Sequence, residues 1–298
     1  MKIGVVGMGV VGGTTASILS KVHKIYPYDK YVESYKSLKN LDELAQDSEA
    51  VFICVPTPVQ KDRSIDYSPI HNSIVLLLGA TYKVGRKPED LLIIIRSTAV
   101  SGTTNDLAET YPFRFAFNPE FLREKSARID MENTNKVIIG VNSEEDAEKI
   151  REIYEPLFPH AKYVVRDRKT AEFDKYASNV MLASQALFAN ILYDGCEANK
   201  ICYQHVKEDI LLDERIGRNI EVPGPDGFRG VGGKCFPKDF NAFIHHLKKE
   251  GARPSAIKVL EALWEYNEEL RGKEGRDWER IPGATSENKD FSKDKDVH

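Results

Sequence analysis

Short apolar segments alternate with amphipathic segments through the first half of the chain. The first apolar segment is 2–6, and similar ones occupy 50–55, 91–95, 113–117 and 136–140. Segments of this length, bounded by polar or proline-containing breaks, are typical of strands that are buried on both faces of a parallel sheet. Because segments with helical spacing separate them, the pattern predicts a doubly wound α/β sheet of the Rossmann type.

Helical spacing dominates the second half of the chain. Apolar and small residues recur along one helical face from 170 to about 197. Three further amphipathic stretches follow, at 203–212, 240–249 and 256–271. Thr170 and Ser255 stand where the first and last of these helices should begin, and we expect their hydroxyl groups to act as caps.

These two patterns predict the domain organisation. We expect a sheet domain over 1–166 and a smaller all-helical domain over 167–271. From 272 to 298 the chain is charged and poor in apolar residues, which predicts a flexible polar tail.

Composition narrows the class of protein. The 298 residues are 41% hydrophobic and carry a net charge of -4, so we expect no general affinity for nucleic acid or anionic membranes. No apolar segment is long enough to span a bilayer. The four cysteines are widely scattered without zinc spacing, and the seven histidines form no metal motif. We therefore expect a cytoplasmic protein with reduced thiols and no metal.

A glycine motif follows the first predicted strand. Gly7, Gly9 and Gly12 are spaced G-x-G-x-x-G, and a predicted helix, 14–22, follows them. In this context the motif predicts a dinucleotide-binding loop, with the pyrophosphate at the helix N-terminus.

Asp29 ends the second predicted strand, 22–28, which Pro27 makes imperfect. A carboxylate about 20 residues beyond the glycine loop can accept hydrogen bonds from the adenosine ribose, which favours NAD over NADP. The alternative is that Asp29 is a simple turn residue.

Polar breaks follow the predicted strands 50–55, 91–95 and 113–117. They contain Thr57, Thr98 and Glu120, whereas the last strand, 136–140, closes the parallel series before a helix. Because ligands of a doubly wound sheet gather at the carboxyl ends of its strands, these breaks predict a cleft lining.

The segment 228–239 combines glycines with a thiol, Cys235, followed by a proline, a cation and a carboxylate. A cysteine in such a setting can act as a nucleophile, although a glycine turn ending in a buried structural cysteine is the alternative. Glu172, Lys175 and Asn179 share one helical face. Lys175 either meets a ligand there or forms a solvated pair with Glu172.

Taken together and in order, these motifs resemble those of the UDP-glucose/GDP-mannose dehydrogenase family. The matching segments, which cover nearly the whole chain to about 271, are 7–12, 54–58, 96–98, 118–124, 171–179, 213–217 and 230–239. The resemblance implies a four-electron, NAD-dependent oxidation of a sugar C6 alcohol, with UDP-glucose giving UDP-glucuronate for polysaccharide biosynthesis.

The resemblance also implies the role of each residue. Cys235 would form a thiohemiacetal and then a thioester, Lys175 and Asn179 would stabilise the oxyanion, and Asp239, Glu120 and Thr98 would handle protons and water. Cofactor binding is implied for Gly7, Gly9, Val10, Val11, Gly12, Asp29, Thr57, Thr98, Glu124 and Lys238. Substrate binding is implied for Glu120, Phe121, Leu122, Arg123, Lys175, Asn179, Phe228 and Gly232.

Arg215 matches an arginine that reaches the substrate of a neighbouring subunit, so the resemblance implies a homodimer; otherwise it is an ordinary surface residue. From the resemblance we expect the family's third, nucleotide-covering domain to have no counterpart in the 298 residues, which leaves the completeness of the substrate pocket open.

Several functions remain in competition. GDP-mannose or a UDP-hexosamine is an alternative substrate. A two-electron hydroxyacid dehydrogenase would have no use for Cys235. A relic that only binds NAD or a sugar nucleotide, or that partners a full-length relative, is the non-enzymatic alternative.

Overall fold

The structure, a computed structural model, describes residues 1–217, 219–273 and 285. The chain divides into two compact units. The sheet unit comprises Met1–Thr57 and Asp66–Lys175, and the helical unit comprises Pro58–Ile65 and the described residues from Tyr176 onward. The predicted domain boundary at 166/167 remains a prediction, and all but residues 272, 273 and 285 of the predicted tail lies outside the described residues. Within the described ranges, no helix has the length and apolarity that crossing a membrane requires.

A seven-stranded sheet forms the centre of the sheet unit. Its strands are β1 (Lys2–Val6), β2 (Lys24–Tyr28), β3 (Ala50–Ile53), β4 (Leu92–Ile95), β5 (Arg114–Phe117), β6 (Lys136–Gly140) and β7 (Lys162–Arg166). They lie in the order β2-β1-β3-β4-β5-β6-β7, and the first five are parallel. Pro27 is tolerated because β2 is an edge strand, where a missing N–H is not needed by a second neighbour.

The strand 136–140 does not continue the parallel series, so this part of the prediction was wrong. β6 runs antiparallel to β5, with Phe117 opposite Gly140 as the paired residues, and β7 then pairs with β6 in parallel. An apolar run carries no information about strand direction. The connection from β5 to β6 contains a 3-10 turn and the six-residue helix α5 (Ala127–Glu132), and β6 begins at the edge of the sheet where β5 ends.

Helices cover both faces of the sheet, as a doubly wound fold requires. The other helices of this unit are α1 (Val10–Leu19), α2 (Leu38–Asp47), α3 (Ser68–Lys83), α4 (Thr103–Thr110) and α6 (Glu144–Tyr154). Val51, Ile53 and Ile93 pack against α2, α3 and α4, whereas the alternate residues Phe52 and Ile94 pack against α1, α5 and α6. This alternation leaves the strand ends as the place for polar groups.

The helical unit consists of four helices and their connections. They are α7 (Arg168–Asn199), whose first residues belong to the sheet unit, α8 (Tyr203–Ile210), α9 (Cys235–Lys249) and α10 (Pro254–Lys273). Phe240 of α9 stacks on Trp264 of α10, with ring centroids 5.6 Å apart.

Both predicted caps were wrong. Asp167 holds the start of α7, because its carboxylate accepts hydrogen bonds from the backbone N–H and the hydroxyl of Thr170. Ser255 lies inside α10, which begins at Pro254, since proline suits a first helical position. Pro237 does not delay α9, which begins at Cys235 and not at 240, because Pro237 lies in the first turn, where a backbone N–H has no intrahelical acceptor.

Candidate active site

The first glycine loop is closed by its own backbone. Gly7 has φ 90°, and a Cβ there would lie 2.6 Å from the carbonyl oxygen of Cys54. A Cβ on Gly12 would lie 1.8 Å from the carbonyl oxygen of Gly7. A Cβ on Gly9, by contrast, meets nothing within 4 Å, so the loop is open at the residue that precedes α1. This geometry fits a pyrophosphate approaching Gly9 and the first turn, Val10 and Val11.

Asp29 organises the turn beside this loop. Its Oδ2 accepts a hydrogen bond of 2.7 Å from the N–H of Met8, and its Oδ1 accepts from Tyr31 N and Val32 N at 2.8 and 3.3 Å. The carboxylate therefore fixes the glycine loop, a role that the sequence did not reveal. A carboxylate offers about four acceptor positions, so it can also accept from a ribose hydroxyl.

The breaks after β3 and β4 are joined to each other. Ser97 donates its hydroxyl hydrogen to the carbonyl oxygens of Ile53 and Val55, at 3.2 and 2.7 Å. Because β3 and β4 are neighbours, Thr57 and Thr98 follow adjacent strands. Thr57 is buried and Thr98 is half-buried.

A buried polar network connects β4, β5 and α6. The Nη1 group of Arg96 donates to Asn118 Oδ1 at 2.5 Å and to the hydroxyl oxygen of Tyr154 at 3.0 Å. Tyr154 donates to the same Oδ1 at 2.6 Å, while Asn118 Nδ2 donates to the carbonyl of Ile138. This network holds the start of the segment that carries Glu120.

Lys175 and Glu120 form a buried ion pair, with 4% and 8% of each residue exposed. The ammonium lies 3.2 Å from Glu120 Oε1 and donates to the backbone carbonyl of Glu120 at 2.5 Å. Glu120 Oε2 accepts from the N–H of Leu122 at 2.5 Å. The pair thus brings together two residues that were predicted as catalytic, and Lys175 does not pair with Glu172.

Glu172 instead anchors the start of α4. Its fully buried carboxylate accepts hydrogen bonds from Gly102 N, Thr104 N and the Thr104 hydroxyl at 2.6, 2.7 and 2.5 Å. Burial raises the pKa of Glu172 to about 7, although the three donors oppose the rise. Glu172 therefore ties the loop after β4 to the helix that carries Lys175.

The remaining residues of the predicted substrate segment are less enclosed. Phe121 and Leu122 are half-buried, and the Phe121 ring centroid lies 5.2 Å from the Lys175 ammonium. Arg123 is exposed and paired with Asp130, and Glu124 begins a short 3-10 turn on the surface.

In the helical unit, Asp239 is the centre of a second cluster. Its carboxylate is 1% exposed and accepts hydrogen bonds from Asn179 Nδ2 and Lys238 Nζ, both at 2.5 Å. Cys235 is the first residue of α9 and is exposed. It lies four residues before Asp239 and so on the same helical face, at a helix N-terminus that favours an anion.

Two buried asparagines hold the glycine segment that precedes Cys235. Asn267 accepts from the N–H of Val231 at 2.7 Å and donates to its carbonyl at 3.2 Å. Asn190 accepts from the N–H of Gly230 at 3.1 Å and from Arg229 Nε at 3.3 Å. We name Asn190, Asn267 and Arg271 the clamp.

Arg271 explains why residue 232 is glycine. A Cβ on Gly232 would lie 1.3 Å from Arg271 Nη2, and this buried guanidinium is paired with Asp226 at 2.7 Å. Phe228, half-buried, donates its N–H to Asp226 Oδ1 at 3.2 Å. The clamp residues were missed, although polar residues four apart on the apolar face of α10 were the available signal.

Arg215 is on the surface. Its guanidinium pairs with Asp213, with a shortest distance of 2.5 Å, and 89% of its side chain is exposed. Its predicted contact with a neighbouring subunit stays a prediction. Among the described residues, no group of three or more histidine, cysteine or acidic side chains is placed to hold a metal ion.

Two family models match this chain. The NAD binding domain of the UDP-glucose/GDP-mannose dehydrogenase family matches residues 29–158, and the central domain of the same family matches 169–269. UDP-glucose 6-dehydrogenase of Rickettsia felis is 34% identical over 235 residues, which are 75% of this chain and 48% of that protein. The enzyme of the same name from Haloferax volcanii is 30% identical, over 90% of this chain and 70% of that protein.

A solved structure shares the fold. The UDP-glucose dehydrogenase of Pyrobaculum islandicum aligns with a TM-score of 0.76 and 26% identity, over 92% of this chain and 71% of that one. The chain spans about half the length of several curated relatives that it matches.

Proposed function

Because the chain belongs to the UDP-glucose/GDP-mannose dehydrogenase family, we propose that it oxidises the C6 alcohol of a nucleotide sugar to a carboxylate, with UDP-glucose as the substrate. The observation that carries this proposal is that α9 places an exposed thiol, Cys235, one turn before a buried carboxylate, Asp239. A two-electron dehydrogenase has no step that needs a nucleophilic thiol.

The sheet unit supplies the first oxidation. The glycine loop and Asp29 would hold NAD, which would supply the hydride acceptor for each oxidation at C6. The Lys175 ammonium, buried beside Glu120, stabilises the negative charge that develops on the C6 oxygen. Its fixed position matters, because a cation that needs no reorganisation is worth more in a dry site than in water.

The helical unit supplies the covalent step. The Cys235 thiolate attacks the aldehyde carbon, forming a C–S bond while the carbonyl π pair moves to oxygen, which gives a thiohemiacetal. Loss of the second hydride from that carbon leaves a thioester. A water molecule then attacks the thioester, losing its proton to a carboxylate for which Glu120 and Asp239 are the candidates, and the thiolate leaves. Asn179 holds Asp239 in place by its 2.5 Å hydrogen bond.

Counting the NADH formed per sugar consumed tests this function. We expect two NADH and a uronic acid with UDP-glucose, and we would compare GDP-mannose and UDP-N-acetylhexosamines in parallel. In Cys235→Ala, acid formation should stop while NAD binding survives. Cys202→Ala is the matched control, because Cys202 is the other exposed cysteine and directly precedes a different helix, α8.

The competing functions predict different numbers of NADH formed per sugar consumed. One NADH with an accumulating aldehyde or ketone identifies a two-electron dehydrogenase, and acid formation that persists in Cys235→Ala removes the covalent mechanism. No NADH with any sugar, together with retained NAD binding, identifies a binding protein.

We also propose a homodimer. Met181, Phe188 and Leu192 lie along one face of α7 and are 67%, 55% and 47% exposed, which is an unusual apolar surface for one helix. Light scattering of the purified protein should give twice the chain mass of 33.7 kDa, and Phe188→Glu should give the chain mass. A single-chain mass for the unaltered protein would refute the dimer.

A cytoplasmic location remains our proposal. Its support is that Cys54, Cys196 and Cys202 are not joined in disulfides, as expected in a reducing compartment.

A further inference from the structure

A cavity of about 160 Å³ lies inside the sheet unit, beside the carboxyl ends of β4 and β5. Its lining comes from Arg96, from the segment 118–122, from α5 and the turn that leads to β6, and from Tyr154. Liquid water occupies about 30 Å³ per molecule, so a cavity of this size has room for several waters or for one phosphate-sized group.

Each of the two carboxylates that line the cavity already has its own cation. Glu120 is paired with Lys175 at 3.2 Å. Asp130 accepts hydrogen bonds from Arg123, which hold the pKa of the Asp130 carboxyl at about 2. Neither carboxylate therefore serves as the counter-ion of another group in the cavity wall.

The two cations of the cavity wall, Arg96 and Lys136, differ from the carboxylates because neither has a partner of opposite charge among the described residues. Arg96 is only 7% exposed, and within the described part of the chain no carboxylate lies within 4.0 Å of it. Its Nη1 has neutral partners, Asn118 and Tyr154, and its buried Nε has none among the described residues. Lys136 also lacks a carboxylate partner in that part of the chain, and its ammonium lies 4.0 Å from the Phe121 ring centroid.

A buried guanidinium without a counter-ion is costly, because neutral hydrogen-bond partners recover only part of its lost hydration. Arg96 accordingly favours an anion in the adjoining space. Guanidinium groups bind the oxygens of phosphates through a planar set of donors, and this makes arginine a common phosphate ligand. Lys136, exposed at the rim, adds a second positive charge.

We propose that this cavity is a phosphate-binding site, with Arg96 as its principal ligand and Lys136 at its mouth. The phosphate is either inorganic phosphate or the terminal phosphate of a nucleotide. Because Asn118 and Glu120 belong to the cavity wall, an occupied site holds the segment 118–122 in place. This inference does not depend on which sugar nucleotide is oxidised.

Thermal unfolding of the intact protein, titrated with inorganic phosphate at constant ionic strength, tests the site. We expect a saturable rise in Tm, since a ligand that binds only the folded state stabilises it. Arg96→Gln should weaken the apparent Kd by about tenfold or more, and Lys136→Gln by about two- to fivefold. Lys162→Gln is the matched control: Lys162 is exposed on β7, in register with Lys136, and does not line the cavity.

If Arg96→Gln does not fold, Lys136→Gln still tests the site. Lys136 is exposed, so its substitution should not disturb folding. Uridine monophosphate provides a second arm. A response to uridine monophosphate but not to inorganic phosphate, lost in the Lys136 and Arg96 variants, assigns the site to a nucleotide phosphate. No saturable response to either, or a response equal in Lys136→Gln and Lys162→Gln, overturns the proposal.

Discussion

Two glycine-rich loops lead into helices in this molecule, and they are held by different means. The first, 7–12, is filled by its own backbone, since the carbonyl of Gly7 occupies the space where a side chain of Gly12 would be. The second, 230–233, is filled by the clamp, with Asn267 against Gly230 and Arg271 against Gly232. Each loop has one glycine, Gly9 or Gly233, with open space beside it.

This difference has a physical consequence. In the first loop the obstructing atoms at Gly7 and Gly12 are backbone atoms of Cys54 and Gly7, so no change of side chain can relieve the obstruction. A loop closed by side chains depends on residues 36 to 42 positions away, as the hydrogen bonds of Asn267 and Arg271 show. The second loop can therefore be loosened, or rescued, from a distance.

Gly12→Ala should have the largest effect. Its Cβ would lie 1.8 Å from a backbone oxygen that cannot move without opening the loop, so we expect a loss of about 3 kcal/mol or more in the free energy of unfolding. Urea unfolding followed by circular dichroism measures it. Gly13→Ala is the control, because its nearest contact would be 3.3 Å, and an equal loss in both variants would contradict the backbone explanation.

The same distinction separates what could and could not be predicted from sequence. The first loop was predictable because its strand, glycines and helix are contiguous in the sequence. The positions of most strands were also predictable, because each is a short apolar segment. The direction of β6 was not, because an apolar run reads the same in both directions. β7 was missed because its apolar part is only Tyr163, Val164 and Val165 at a sheet edge.

Among the site residues, Lys175 and Glu120 were predicted one by one, but their pairing across 55 positions was not. The role of Glu172 was also hidden, because its partners lie on α4, about 70 positions earlier. Asn267 and Arg271 left only one local signal, two polar residues four apart on α10, and the long-range partners of Asn190 left none, so none of the three had an assigned function.

A change of pH should distinguish the clamp from Glu172, a side chain that holds a third loop, the one after β4. The clamp consists of two amides and a guanidinium, which keep their charge between pH 5 and 8. Glu172, which holds the loop after β4, has its pKa raised from 4.5 to about 7. The folded state thus keeps a proton that the unfolded state loses in this window, so the free energy of unfolding falls as pH rises from 4.5 to 7, by on the order of 3 kcal/mol.

Urea unfolding at pH 5 and pH 8 should show this fall, and Glu172→Gln should remove most of it. Glu109→Gln, which changes an exposed carboxylate of α4, should leave the pH dependence unaltered. If Glu172→Gln retains the full slope, then another group is responsible.

Asn267→Ala should loosen the second loop from a distance. The N–H and the carbonyl of Val231 would both lose their buried partner, which should cost about 2–3 kcal/mol. Because the loop leads to Cys235, we expect turnover to fall while NAD affinity is unchanged. Measuring Kd for NAD and kcat together distinguishes this outcome from general unfolding, which would reduce both.

Gly232→Ala should cost less, about 1–2 kcal/mol, because the obstruction is the end of a side chain that can move. The Arg271 guanidinium would have to leave Asp226. In a double-mutant cycle, Gly232→Ala should therefore cost little when Arg271 is already alanine. Additive losses would show that Gly232 is obstructed by backbone as Gly12 is, and would remove the contrast between the loops.

Gly9→Ala should have the smallest effect on stability and a distinct effect on binding. A Cβ at this position meets nothing within 4 Å, so the free energy of unfolding should change by less than about 0.5 kcal/mol. The open space beside Gly9 is where the pyrophosphate must approach the backbone, so the added methyl group should weaken NAD binding by about tenfold. Fluorescence titration with NAD measures the Kd, and urea unfolding of the same sample measures stability. A variant that is stable and binds NAD as the unaltered protein does would mean that the pyrophosphate does not approach the loop at Gly9, and it would leave Gly7 and Gly12 with a purely structural role.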